Sequence, residues 1–186
     1  MSVAAVSFRD AAVGDAERVA GLHAESWRRH YRGAYTDSYL DGDVFADRLA
    51  VWSARLADPA PHGVTVLAEV AGEFAGFVHV VLDDDVRWGS LVDNLHVVRA
   101  HHRHGIGAAL MRRAAGAVLE RGATGAMYLW VLEQNTAARA FYSALGGRFA
   151  ERSYTRPPGD VPGRLNGRPA MLRCVWPDAA ALLPPG

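Results

Sequence analysis

The feature that most constrains the fold is a strand-like segment that runs through a short glycine-containing loop into a helix-like segment. The segment 91–98, LVDNLHVV, is apolar enough for a buried strand, and from Ile106 onward the apolar residues recur with helical spacing. Gly105 and Gly107 stand at the junction. A strand that turns directly into a helix leaves the first N–H groups of the helix unpaired, and glycines there let the backbone approach a ligand closely. Together with the helix dipole, this turn predicts a phosphate site.

Two common phosphate-binding motifs do not match this loop. The Walker motif requires Gly-Lys-Ser/Thr, and the chain contains no lysine. The dinucleotide fingerprint requires a small third residue, where Leu110 stands. Two alternatives remain. The glycine turn can simply connect the strand to the helix. A metal site at His102 and His104 is the other, but no cysteine or carboxylate lies nearby in sequence to complete the ligand set. The loop is therefore predicted to bind phosphate and no metal.

The pattern around this loop is that of a mixed sheet. Strands are predicted at about 3–9, 64–72, 73–83, 91–98, 125–132, 147–154 and 169–177. Helices are predicted at about 16–31, 38–57, 104–122 and 136–147. Only the segment 91–132 has the form of a β-α-β crossover, so the order predicts an α+β fold and not a doubly wound parallel sheet.

Composition limits the classes of partner. Twenty basic residues balance twenty acidic ones, so nothing draws the whole chain to nucleic acid or anionic lipid. No apolar run approaches the roughly 18 residues that a membrane span requires, and the N-terminus has no signal-peptide pattern. Cys174 is the single cysteine. We expect one domain over residues 1–186 in the cytoplasm, with no nucleic-acid or membrane partner and with a homodimer left open.

Two stretches resemble the GNAT superfamily of N-acetyltransferases. Residues 97–110, VVRAHHRHGIGAAL, resemble the acetyl-CoA loop of that family, V-x-P-x-x-[RQ]-G-x-G-x-G/A followed by a helix. Residues 129–147, LWVLEQNTAARAFYSALGG, resemble its later motif. The Pro, Arg/Gln and first Gly positions of the loop hold Arg99, His102 and Arg103 instead. Because the family holds the pyrophosphate mainly through backbone N–H groups, the resemblance still implies acetyl-CoA binding.

The resemblance implies a GNAT-type α+β fold, with a mixed, mostly antiparallel sheet of about seven strands and about four helices, splayed between the strands at 91–98 and 125–132. It implies an acyltransferase that moves an acetyl group from acetyl-CoA to a primary amine of a small molecule by direct attack on the thioester. A protein or peptide N-acetyltransferase and a non-catalytic acetyl-CoA-binding domain are the alternatives. The cofactor-binding residues that it implies are Leu95, Val97, His102, Arg103, His104, Gly105, Ile106, Gly107, Ala108, Asn135 and Tyr142.

Tyr142 is the candidate general acid, because it matches the family tyrosine that faces the sulfur. The alternative is that Tyr142 only packs in the core. Asn135 matches a residue that contacts the cofactor arm, and it can also cap the helix that follows it. The acceptor pocket is predicted at Trp27, Tyr31 and Glu133, with the aromatic residues and the loop that surround them in the family, here Tyr35, Tyr39 and 155–167.

Asp93 is the candidate general base, and the alternative is that it is a buried structural carboxylate or a cap at the end of the strand. Side chains alternate along a strand, so Asp93 is predicted to share a face with Leu95 and Val97, where family members often place a carboxylate or histidine. From that position it can deprotonate an ammonium directly or through water. Asn94 and His96 are predicted on the opposite face. Its rivals as the base are Glu133, Glu25 and His23.

Overall fold

The structure, a computed structural model, describes residues 5–184, which form seven strands and five α-helices. The strands are β1 (Val6–Asp10), β2 (Gly63–Val70), β3 (Glu73–Asp85), β4 (Gly89–Val97), β5 (Met127–Leu132), β6 (Arg148–Tyr154) and β7 (Ala170–Trp176). The helices are α1 (Ala16–His30), α2 (Asp37–Asp41), α3 (Val44–Ala57), α4 (Ile106–Arg121) and α5 (Thr136–Ala144). Each predicted strand is present, although residues 3 and 4 of the first one lie outside the described residues.

The single helix predicted over 38–57 is wrong, because the chain breaks between α2 and α3. Gly42 has φ −105° and ψ −102°, which lies outside the helical region. A β-carbon at Gly42 would lie 2.7 Å from the carbonyl oxygen of Ser38, so the break requires glycine. The residues before the break, Tyr39 and Leu40, are buried. The break therefore lets a five-residue helix fold inward ahead of α3.

The sheet has the strand order β1-β2-β3-β4-β5-β7-β6. Every neighbouring pair is antiparallel except β4 and β5, which are parallel. Within the described strands, β4 and β5 are paired at Ser90↔Met127 and Leu91↔Tyr128 and no further. Both strands continue beyond this point, so the sheet is open between them. The predicted α+β fold with its splay is confirmed.

Helices cover both faces of the sheet. On one face α4 buries an apolar stripe that includes Leu110 and Val118 against β3 and β4. On the other face α1 and α3 enclose Trp52, Leu67 and Phe77. The open gap between β4 and β5 is therefore flanked by helices on each side. No helix within residues 5–184 is long and apolar enough to cross a membrane.

Candidate active site

A cavity of about 880 Å³ lies where β4 and β5 separate. Its walls come from both strands, from the first turn of α4, and from α1, α3 and α5. The predicted site residues that line it are Trp27, Tyr31, Asp93, Leu95, Val97, His102, Arg103, Gly105, Ile106, Gly107, Ala108, Asn135 and Tyr142. Two predicted site residues, His104 and Glu133, do not line it. The structure thus brings together most of a set that spans more than 100 positions of the sequence.

The first turn of α4 forms one end of the cavity. Gly105 precedes it with φ +79°, a left-handed conformation that favours glycine, and no side chain caps the helix. The N–H groups of Ile106, Gly107 and Ala108 therefore lack partners within the helix. No atom lies within 4 Å of the place where a β-carbon of Gly105 would stand. Unpaired donors, a helix dipole and open space fit a pyrophosphate group.

Glycine is favoured at position 107 for a different reason, which is the close approach of neighbouring side chains. A β-carbon there would lie 3.2 Å from Cζ of Phe141 and 3.8 Å from Cγ2 of Val97. The absence of a side chain at Gly107 therefore lets α5 pack directly against α4. This contact sets the position of Tyr142, the next residue of α5.

Two of the three departures from the family loop, Arg103 and His102, have structural roles. Arg103, which stands where the family has glycine, adopts φ +64°, the conformation for which glycine is favoured. His102 Nε2 donates to the carbonyl of Val97 at 2.8 Å and fastens the loop to the end of β4. His104 is exposed and does not line the cavity. Within residues 5–184, no three His, Cys, Asp or Glu side chains are placed to hold a metal ion.

Asp93 lies on the opposite face of β4 from the one predicted. The register between β3 and β4 shifts by one residue here, because Val80 pairs with Val92 and His79 pairs with Asn94. Asp93 is the extra residue of this β-bulge, and a bulge interrupts the alternation of side chains. Asp93 consequently points toward α3, like Asn94, and not toward the face of α4.

The carboxylate of Asp93 has two hydrogen-bond donors. Arg55 Nη1 of α3 donates to Oδ2 at 3.2 Å, and Asn94 Nδ2 donates to the same oxygen at 2.7 Å. Among the described residues, no donor reaches Oδ1. One oxygen of Asp93 is therefore fixed by the protein, and the other can accept a proton or hydrogen bond from a ligand.

Tyr142 and Tyr31 contribute hydroxyl groups to the same cavity. Burial raises the pKa of Tyr142, and nearby Tyr31 and Cys174 raise it further. Burial also raises the pKa of Tyr31 to about 12, with a contribution from the negative charge of Asp93. Neither hydroxyl is hydrogen-bonded to any residue that the structure describes. Both groups therefore keep their protons at neutral pH, as a proton donor must.

Two histidines in the cavity lining, His23 and His96, form a neutral pair. His96 Nδ1 is hydrogen-bonded to Ser26 Oγ at 2.9 Å, and its ring lies 4.8 Å from that of His23. Trp52 Nε1 donates to His23 Nδ1 at 3.0 Å, so the proton of His23 is on Nε2, which is buried without a partner. Burial lowers the pKa of His96 to about 3 and holds the pKa of His23 well below its usual value. His23 thus has no lone pair available to act as a base.

The other predicted rivals of Asp93 are held in ion pairs. Glu25 accepts from Arg29 at 2.6 Å, one helical turn along α1. Glu133 accepts from Arg152 of β6 at 2.9 Å and lies outside the cavity lining. The prediction of Glu133 in the acceptor pocket is wrong. Its side chain extends toward β6, where Arg152 binds it, and not into the gap between β4 and β5. Asn135 caps α5, since its Oδ1 accepts from Ala138 N at 3.1 Å, and it also lines the cavity.

Aromatic rings form the end of the cavity opposite α4. The ring of Tyr31 lies 5.3 Å from that of Trp27 and 4.8 Å from that of Tyr35. Trp27 is only 9 % exposed, so these rings make a closely packed wall. Tyr39 packs behind Tyr35 and does not line the cavity.

The loop between β6 and β7 closes over this aromatic wall. Thr36 N donates to the carbonyl of Arg164 at 3.0 Å, and Asn166 N donates to the carbonyl of Ala34 at 2.8 Å. Tyr35 and Leu165 form an isolated antiparallel bridge between them. The connection between α1 and α2 is thereby joined to the loop 155–169 by backbone hydrogen bonds.

Sequence reasoning missed the cavity residues on α3, which include two arginines, Arg48 and Arg55. Arg48 Cζ lies 4.5 Å from the ring centroid of Trp27, and Arg55 Cζ lies 4.8 Å from that of Trp52. The spacing of Arg48 and Arg55 could have indicated that they point to the same side, because residues seven apart on a helix share a face. It was not distinctive, since arginine is abundant in this chain.

The Acetyltransferase (GNAT) family matches residues 24–146. The chain is 25 % identical over 180 residues to the uncharacterized N-acetyltransferase YuaI of Bacillus subtilis, covering 95 % of this chain and 96 % of that one. It is 29 % identical over 154 residues to the probable N-acetyltransferase Rv2775 of Mycobacterium tuberculosis, covering 82 % of this chain and 86 % of that one.

Solved structures share the fold at low sequence identity. The PaiA N-acetyltransferase of Thermoplasma acidophilum in complex with coenzyme A has a TM-score of 0.70 at 15 % identity, covering 92 % of this chain and 99 % of that one. The ribosomal-protein-S18-alanine N-acetyltransferase of Escherichia coli has a TM-score of 0.63 at 19 % identity, with 94 % of each chain covered. These likenesses show that the fold is shared. The chain belongs to the GNAT family and is an acetyl-CoA-dependent acyltransferase.

Proposed function

We propose that this chain, as a single domain over residues 1–186, transfers the acetyl group of acetyl-CoA to the primary amine of a small molecule. The observation that carries the proposal is that one cavity joins the uncapped start of α4, Tyr142 of α5 and Asp93 of β4. Acetyl-CoA supplies a thioester that a neutral amine attacks directly at the carbonyl carbon. The protein must therefore position the thioester, keep the amine neutral and protonate the departing sulfur.

The cofactor end of the site is built from backbone groups. The N–H groups of Ile106, Gly107 and Ala108 bind the pyrophosphate, and Arg103 adds a positive charge beside them. Beyond Leu91, the backbone groups of β4 that face the gap have no partners on β5. These groups can pair with the extended pantetheine arm, which then runs along Leu95 and Val97 toward Tyr142.

Tyr142 supplies the proton that the sulfur gains, and Asp93 takes the proton that the ammonium loses before attack. The second proton of the nitrogen leaves after attack and passes to solvent, from which Tyr142 recovers its proton. The Tyr142 hydroxyl, kept protonated by its raised pKa, donates a proton to the sulfur as the thiolate leaves. The Oδ1 atom of Asp93 accepts a proton from the incoming ammonium, directly or through a water molecule. Arg55 and Asn94 hold Oδ2 and so orient the carboxylate for this transfer. This acid and base need no metal, so thiol release should be unchanged after EDTA treatment.

The joined loops favour a small acceptor over a protein. A peptide substrate needs an open groove that leads to the thioester. In this chain the connection between α1 and α2, of which Tyr31 and Tyr35 line the cavity, is hydrogen-bonded to the loop 155–169 through Thr36, Tyr35 and Asn166. This contact restricts the acceptor end to a compact ligand, which supports a free amine. We also propose a cytoplasmic location, where acetyl-CoA is available.

A screen of small primary amines and N-terminal peptides, with acetyl-CoA and a thiol reagent, tests this function. We expect thiol release with small amines that exceeds the release with peptides. Calorimetry with CoA provides the separate measurement of binding. Acetyl-CoA binding without turnover of any amine would support the non-catalytic alternative, and turnover of peptides alone would support the protein N-acetyltransferase alternative.

A further inference from the structure

Arginines outnumber carboxylates at the acceptor end of the cavity. The charged lining residues on α1, α3 and β4 are Arg29, Arg48, Arg55, Glu25 and Asp93. Glu25 pairs with Arg29 at 2.6 Å, and Asp93 pairs with Arg55 at 3.2 Å. In each of these two pairs the positive charge of the arginine and the negative charge of the carboxylate cancel. Arg48 is left as the guanidinium that has no carboxylate partner within the cavity lining.

Arg48 is held from outside the cavity by Asp47. Its Nε and Nη2 both donate to Asp47 Oδ2, at 3.1 and 2.6 Å. The same carboxylate accepts from Arg164 Nη1 at 2.9 Å and from the hydroxyl of Tyr39 at 2.7 Å. One negative charge is therefore shared between two guanidinium groups, and the cluster keeps a net positive charge beside the cavity.

The guanidinium of Arg48 also has a fixed orientation. It stacks 4.5 Å from the ring centroid of Trp27, and the side chain is only 12 % exposed. Its Nη1 makes no hydrogen bond to any described residue. A planar guanidinium with one edge occupied by Asp47 still presents a second edge, and such an edge matches the two oxygens of a carboxylate.

We infer that the acceptor is an amine that also carries a carboxylate, and that Arg48 binds this carboxylate. The inference rests on the proposed function and adds the chemical class of the acceptor. The amine lies at Asp93, and the body of the acceptor lies along the rings around Trp27. Arg48 and Arg55 are seven residues apart on α3, which places their Cα atoms about 10 Å apart along the helix axis. The amine of the acceptor thus lies at Asp93, which Arg55 orients, and its carboxylate lies at Arg48, whose partner Asp47 is outside the cavity lining.

The test compares amines that differ only in the carboxylate. Suitable pairs are L-phenylalanine with phenethylamine, L-methionine with 3-(methylthio)propylamine, and 6-aminohexanoic acid with pentylamine. The pairs also vary the distance between the amine and the carboxylate. Thiol release at saturating acetyl-CoA gives kcat/KM for each compound. In at least one pair, the acid should be preferred by about tenfold to a hundredfold, the range for a hydrogen-bonded charge.

The variant Arg48→Gln removes the charge and keeps much of the side-chain length. We expect the preference for the acid to fall to within about threefold, mainly through a higher KM for the acid. Arg164→Gln is the matched control, because it makes the same change at the other arginine of Asp47, which does not line the cavity. The Arg164→Gln variant should keep the wild-type preference for the acid over the neutral amine. Melting temperature and acetyl-CoA affinity, measured for both variants, establish that each is folded.

Three outcomes would overturn the inference. The wild-type protein could prefer the neutral amine in every pair, or Arg48→Gln could lower both members of a pair equally. Either result would leave the proposed function intact, since amines would still be acetylated. Failure to acetylate any amine, with acetyl-CoA binding retained, would overturn the proposed function and the inference together. If Arg48→Gln does not fold, the comparison of paired amines with the wild-type protein still decides whether the acceptor carries a carboxylate.

Discussion

Asp93 and Asn94 are consecutive residues of β4 whose side chains point to the same face, and Asn94 Nδ2 donates to Asp93 Oδ2 at 2.7 Å. In a regular strand these side chains would lie on opposite faces. The bulge between β3 and β4 thus turns Asp93 toward Arg55, at the point where the cavity passes from the cofactor end to the acceptor end. The location of the proposed base follows from this irregularity of the strand.

Replacing Asp93 by Asn tests this proposed base. The amide oxygen can still accept from Arg55, but the residue can no longer take a proton. We expect kcat/KM for the best amine to fall by about 10²–10⁴-fold. Glu25→Gln makes the same chemical change at another cavity carboxylate, which Arg29 occupies. If Glu25→Gln had the larger effect, Asp93 would not be the base.

Replacing Tyr142 by Phe removes a proton donor and retains the ring. Because the hydroxyl acts on charge that develops as the thiolate leaves, kcat should fall by about 10²–10⁴-fold while the affinity for acetyl-CoA stays the same. Tyr31→Phe is the comparison, since Tyr31 supplies the other hydroxyl without a partner among the described residues. A single-turnover rate for Tyr142→Phe within threefold of the wild-type rate would leave water as the proton source.

Two variants of Arg103 separate backbone strain from charge. Arg103→Ala and Arg103→Gly both remove the guanidinium, but only glycine relieves the strain of φ +64°. We expect Arg103→Gly to be more stable than Arg103→Ala by about 1 kcal/mol, the lower end of the left-handed cost. That difference is about 2–4 °C in Tm for a chain of this size. Both variants should lose acetyl-CoA affinity by a similar factor. Equal melting temperatures would show that the loop carries no strain at this residue.

His79 makes stability depend on pH. It is hydrogen-bonded to Thr65 on an apolar strand, and burial lowers its pKa from 6.5 to about 3. Between these values the unfolded chain binds a proton that the folded chain does not, so stability is lost as the pH falls below 6.5. The loss is about 1.4 kcal/mol per pH unit.

The variant His79→Asn should therefore lose less stability than the wild-type protein between pH 6.5 and 4.5. Thermal melts across this range measure the difference, with the exposed His104→Asn as the control. His23 and His96 also have lowered pKa values, so part of the slope should remain. Parallel curves for wild-type and His79→Asn would mean that His79 is protonated in the folded protein.

Local patterns in the sequence were enough to predict the elements that carry the cofactor end. The glycine at 105 and the helical spacing after it place the start of α4, and the family motif assigns a function to that turn. Asn135 and the apolar residues that follow it likewise predict α5. These features depend on neighbouring residues, so one sequence contains them in full.

Features that depend on distant partners could not be predicted in the same way. The bulge at Asp93 depends on how β4 pairs with β3. Alternation along β4 alone therefore predicts the wrong face for the Asp93 side chain. The tautomer of His23 is set by Trp52, 29 residues away. Glu133 leaves the gap because Arg152 of a later strand binds it. The acceptor end is made largely of such contacts, and so it was the less predictable half of the site.

The separation of β4 from β5 creates two sheet edges inside the protein. Edge strands usually lie on the outside, where exposed backbone groups can recruit another strand and cause aggregation. Here the edges face each other across a gap that helices flank. The amide hydrogens along these edges can exchange with solvent without unfolding of the sheet. Their exchange should slow when acetyl-CoA binds, while exchange between β2 and β3 should not change.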